Sequence, residues 1–166
     1  MKRIPFKKIF YGLIILFIII QFIHPSVNNG NARSENDISH MVNVPDSVMK
    51  ILEISCFDCH SNHTEYPWYH YIQPVTFYLD RHVNDGKRHL NFSEYNNYNL
   101  KRKKRKLEKI AKEVEEHGMP LWEYTLIHTN AKLNDDQTSV IINWAKIEAA
   151  KIIVPDSLKD LKETKH

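Results

Sequence analysis

The sequence predicts an all-α domain behind one N-terminal apolar helix. Three observations predict it. Only four glycines occur in 166 residues, and no long stretch alternates apolar and polar residues as a half-buried strand would. Apolar residues recur instead at spacings of three and four. Prolines, glycines and Asn, Asp or Ser caps bound these stretches, as helix starts and stops do.

The N-terminal element comes first. Lys2, Arg3, Lys7 and Lys8 precede an apolar run from Ile9 to Ile23, broken only by Gly12 and Gln21. The run is long for a signal-peptide core and short of the ~20 residues that usually span a bilayer. Lysines at its edge lengthen it by snorkelling. The flank of Ile23, QFIHPSVNNG, holds no clear small-x-small cleavage site, which favours a membrane anchor over a cleaved signal for segment 1–23. The basic start keeps the N-terminus in the cytoplasm. The expected location is the inner membrane with the folded domain in the periplasm, or free in the periplasm if segment 1–23 is removed. Formal charge is +3, but of 23 basic residues these four belong to the leader, leaving 19 against 20 acidic ones. A nucleic-acid partner is therefore not expected.

Residues 24–44 are polar, with Pro25, Gly30 and many Asn and Ser, and read as a linker. The domain is expected over 45–155. Its first helix starts at Asp46 or Ser47 as N-cap, carries Val48, Ile51 and Leu52, and runs into Cys59-His60. A second follows Pro74, with Val75, Leu79, His82 and Val83 on one side, and ends at Gly86. A third spans about Tyr98 to Glu116 with Leu100, Leu107, Ile110, Ala111 and Val114 as its stripe, and Gly118 as its stop. A fourth opens at Asn134, where Asn134 and Gln137 form a capping box, and Pro155 closes it. Its stripe is Val140, Ile141, Trp144 and Ile147. Residues 156–166 form a charged tail. Four short helices make a thin core, and a large apolar ligand would fill it. Tyr66, Trp68, Tyr69, Tyr71 and Trp122, in the loops 61–73 and 118–133, would wall that ligand. The run Lys101 to Lys106 reads as a solvated helix face, or else as a docking surface for an acidic redox partner or anionic lipid.

Both cysteines fall in Cys56-Phe57-Asp58-Cys59-His60. Chance placement would give this C-x-x-C-H less than about once in 1,000 such chains. At ~100° per residue, positions i, i+3 and i+4 share one helix face, so two thiols and an imidazole can meet one planar ligand. C-x-x-C-H is read this way for haem c: thioethers through Cys56 and Cys59, and His60 as proximal iron ligand. Two alternatives remain. Zinc needs four donors, and only one cysteine pair exists, though His63 or another histidine could join it. A thioredoxin-like redox pair sits at a helix N-terminus, whereas this motif ends a helix.

The opposite face of the iron needs a ligand. Met119 lies after a helix-ending glycine and before Pro120, which holds it in extended backbone, and a Met/His pair suits electron transfer. His128 is the first alternative, followed by His117 and His63. Arg88, His89 and Asn91 could meet haem propionates.

The segments "CFDCHSNHTEYPWYHYIQPV", "DGKRHLNFSEY", "HGMPLWEYTLIHTNAKLNDDQ" and "INWA" resemble, in order, the haem-binding domain of exported Bacteroidetes-type proteins. The resemblance covers roughly 40–150. It implies a small cytochrome c-like helical domain around one covalently bound haem c, with Cys56, Cys59 and His60 in the attachment roles and Met119 as distal ligand. The expected function is a membrane-anchored monohaem cytochrome that passes electrons to redox partner proteins. A haem-based enzyme or sensor with a displaceable sixth ligand is the alternative.

Overall fold

A computed structural model describes residues 6–155. The leading residues Lys2 and Arg3 and the tail 156–166 lie outside the described residues. Among the described residues every element is helical, and the one β-bridge is an isolated Asn29–His63 pair. The helices are α1 (Phe6–Ile20), α2 (Asp46–Ser55), α3 (Phe57–His60), α4 (Val75–His89), α5 (Leu100–Glu115), α6 (Trp122–Ile127) and α7 (Asp135–Lys151).

The core is built where α5 and α7 lie against each other and against α2. Leu107, Ile110 and Val114 of α5 meet Ile141 and Trp144 of α7 and Leu52 of α2 in one buried cluster. The α5 stripe is the expected one. That of α7 is rotated: Val140 and Ile147 are exposed, while Ile141, Trp144, Ala145 and Glu148 are buried. Helical spacing fits both sets, and the packed partner chooses between them. The Trp144 indole N–H donates to the Asn43 carbonyl (2.9 Å), which fixes the ring.

One helix end is as the sequence predicts, and others differ. The α7 capping box is present, with the Asn134 side chain accepting from the Gln137 N–H (2.8 Å) and the Gln137 side chain accepting from the Asn134 N–H (3.0 Å). Helix α2 has Pro45 at its N-cap and no side-chain cap, so neither Asp46 nor Ser47 plays that part. Helix α4 continues through Gly86 to His89. The left-handed residue after α5 is His117 (φ 55°), not Gly118. Gly118 and Met119 both donate their N–H to the Glu113 carbonyl (2.8 and 3.1 Å), which closes the helix end.

The segment expected as a linker contributes to the core. Ile38 and Asp37 are buried, as is Val42. Asn28 donates to the Ser61 carbonyl (3.0 Å) and the Thr64 hydroxyl (2.9 Å), and the Gly30 N–H donates to the Asn62 carbonyl (2.6 Å). Polar residues here hydrogen-bond the folded chain at partly buried positions.

No residue of helix α1 is buried, and all but the last, Ile20, are exposed. No described helix is long and apolar enough to cross a membrane. The basic run of α5 is not a uniformly solvated face either. Lys103 and Lys106 are buried, and Lys103 donates to Asn96 Oδ1 (2.9 Å).

Candidate cofactor site

The site starts from a break in the backbone. At Cys56 (φ −130°, ψ −37°) helix α2 ends, and Phe57–His60 makes one further turn. The N–H groups of Cys59 and His60 both return to the Cys56 carbonyl (3.2 and 3.0 Å). The kink keeps the i, i+3, i+4 spacing while re-aiming the face. Cys56, Cys59 and His60 line one cavity of about 360 Å³, within the range of small-molecule sites. Met119 lines the same cavity, with Ile110, Val114, Leu121 and Tyr124 among its walls.

His60 is oriented from behind. Its Nδ1 lies 3.0 Å from both the Gly86 and Leu90 carbonyl oxygens. A ring nitrogen that faces two acceptors must carry the proton, so Nδ1–H donates and Nε2 keeps its lone pair. Burial holds the imidazole below its ordinary pKa, which keeps it neutral and able to ligate.

Gly86 permits that contact. A Cβ there would sit inside van der Waals contact of the Cys59 carbonyl oxygen and 3.1 Å from the Cys59 Cβ. Helix α4 therefore lies directly on the C-x-x-C-H turn, and only a residue without a side chain allows it.

The thiols are free and partly buried. Burial pushes Cys56 up to about 12 and Cys59 up to about 11. A redox C-x-x-C needs the opposite shift, so the redox reading loses its support. Among the described residues no group of three or more His, Cys, Asp or Glu converges for a metal ion, which leaves the zinc reading without a donor set.

Two residues between the cysteines build the surroundings. Phe57 is buried and stacks on Phe92 (5.2 Å between ring centres). Asp58 reaches the other way and accepts from the Tyr124 hydroxyl (2.6 Å) and the Glu65 N–H (3.0 Å). Burial, with the Asp58 hydrogen bond next, raises the Tyr124 phenol well above its ordinary range. This bond ties the C-x-x-C-H turn to α6, the helix that follows Met119.

The other candidates separate. His128 lines a neighbouring cavity of about 140 Å³, stacked on Tyr124. His63 holds the Asn29 bridge and His117 is exposed at the α5 end. Arg88 is exposed and pairs with Asp85, and Asn91 is buried between Asn62 and the Ser93 N–H (2.8 and 3.0 Å), so neither meets the cavity. His89 does line it. The expected aromatic wall is largely absent, since Trp68 and Trp122 are 77% and 67% exposed. Sequence reasoning missed Tyr124, Gly86, His82, Lys106 and Lys109 as cavity residues. The signal for Lys106 and Lys109 was available: they share the α5 face of Ile110, Glu113 and Val114 at spacings of three and four.

These residues suit the group their motif calls for. The cavity is apolar, the two thiols are held neutral, and a tautomer-fixed imidazole and a thioether border the same space.

A family model described as "haem-binding domain" matches residues 15–147. No curated protein and no solved structure matches this chain.

Proposed function

This chain belongs to the haem-binding domain family, and from that premise we propose that it is a membrane-anchored, monohaem c-type cytochrome for electron transfer. The observation that carries the reading is the meeting of Cys56, Cys59, His60 and Met119 at one apolar cavity. Bound haem would supply a one-electron ferric/ferrous couple.

The chain's own residues do the rest. Cys56 and Cys59 would hold the group through two thioether links, and their thiols border the cavity it would fill. His60 offers Nε2 while Gly86 and Leu90 hold Nδ1. Met119 offers a soft thioether, which favours the ferrous state and raises the potential. The separate position of His128 supports Met119 over it as distal ligand. Ile110, Val114 and Leu121 exclude water and lower the local dielectric. Lys7 and Lys8 at the start of α1 support an inner-membrane anchor with the domain in the periplasm.

A pyridine haemochrome spectrum on protein made with a c-type maturation system tests attachment. A spectrum of two thioether links is expected, and its loss in Cys56→Ala and Cys59→Ala. Extractable haem in the unmodified protein would overturn covalent attachment. Rapid carbon monoxide binding by the ferrous protein would overturn the closed, electron-carrying reading in favour of an enzyme or sensor.

A further inference from the structure

No charged side chain falls between Glu65 and Asp80. Within that stretch Trp68 and Tyr71, at the two ends of the short turn Trp68–Tyr71, and the neighbouring Ile72 face solvent (77%, 63% and 41% exposed), while His70 between them turns inward and is buried. Large rings left outside in a segment without charge mark a contact surface.

The neighbouring element indicates what covers it. Gln21 follows the end of α1, and its side chain brackets the backbone of Gln73. The Gln73 N–H donates to Gln21 Oε1 (2.9 Å), and Gln21 Nε2 donates to the Gln73 carbonyl (3.3 Å). The Gln73 side chain is buried and donates to the Ile23 carbonyl (2.5 Å). The end of the apolar helix is thus fastened to the residue next to Ile72.

Length decides the depth. The 15 residues of α1 rise about 22 Å at 1.5 Å each, against a hydrocarbon core of about 30 Å. A helix so short has its outer end within the interfacial zone rather than above it. Whatever is fastened to that end enters the same zone.

We propose that Trp68, Tyr71 and Ile72 form a bilayer-contact edge, seated among the headgroups and upper acyl chains of the membrane that α1 enters. The proposal rests on the reading of α1 as an anchor. Trp and Tyr rings, apolar in body and polar at one atom, are the residues that settle at this depth. The contact gives the haem domain one fixed orientation on the membrane instead of a free swing on a tether.

The test uses the full haem-loaded chain in phosphatidylcholine vesicles that carry a minor fraction of a lipid with a diazirine in its upper acyl chain. After irradiation, mass spectrometry maps the lipid adducts. Adducts are expected in residues 6–23 and in the peptide containing Trp68–Ile72. Adducts confined to residues 6–23 would overturn this edge and leave the anchor reading standing. A chain that does not sediment with the vesicles would overturn both. The surface variant Trp68→Ser/Tyr71→Ser should still sediment while adducts in its 66–73 peptide fall several-fold. An unchanged yield there would also overturn the proposal.

Discussion

Replacing Gly86 by alanine tests the geometry on which the site depends. In the interior of an ordinary helix this change stabilises by roughly 0.5–1 kcal/mol, because glycine loses more backbone entropy on folding. At Gly86 the opposite sign is expected. The new Cβ meets the Cys59 carbonyl and its Cβ, and the opposing atoms are backbone that cannot swing aside. Overpacking of this kind costs about 1–3 kcal/mol. Helix α4 must move off the turn, which also lengthens the His60 Nδ1–Gly86 bond, worth about 1 kcal/mol. Taking central values, the net loss is about 2 kcal/mol. For a chain of this length that lowers Tm by about 4–8 °C. Thermal unfolding followed by circular dichroism reads it directly. Gly12→Ala, where a Cβ meets nothing within 4 Å, is the control and should not lower Tm. A Gly86→Ala protein as stable as the parent, or more so, would refute the close approach of α4 to the C-x-x-C-H turn.

Other outcomes follow from the same contacts. Met119→Ala should open the ferrous iron to carbon monoxide and lower the reduction potential, whereas His128→Ala, in the neighbouring cavity, should change neither; the reverse pattern would assign the ligand to His128. Tyr124→Phe leaves the Asp58 carboxylate without its hydroxyl donor and should cost about 1–3 kcal/mol, read as a fall in the denaturation midpoint at constant slope. Burial holds the Lys103 ammonium below its ordinary 10.5. The folded state then binds its proton less readily than the unfolded state, so this group's opposition to folding is present at neutral pH and fades as pH rises toward 10.5. Lys103→Met should therefore flatten that part of the stability–pH curve, measured by denaturant titration at stepped pH.

How much of this was legible follows from the range of each interaction. The capping box of α7, the α5 stripe and the shared face of Cys56, Cys59 and His60 arise within one or two helical turns. There the rise and twist of the backbone convert spacing directly into geometry. Residues 24–44 misled because composition reports polarity but not its partner. The Asn28 amide looks the same in sequence whether it meets water or, as here, Ser61 and Thr64. The aromatic residues misled for a related reason: a ring near the motif in sequence can face away from it, as Trp68 does.

Linear order thus carried the shared face of the C-x-x-C-H turn, because three side chains on one helical face need no help from the rest of the chain to converge. Folding supplied what makes that turn a site. His60 is oriented by carbonyls 26 and 30 residues away, and Asp58 is joined to Tyr124 across 66 residues. These pairs have no period to detect. They exist because α4 approaches closely enough at Gly86, a distance set by packing and by the absence of one side chain.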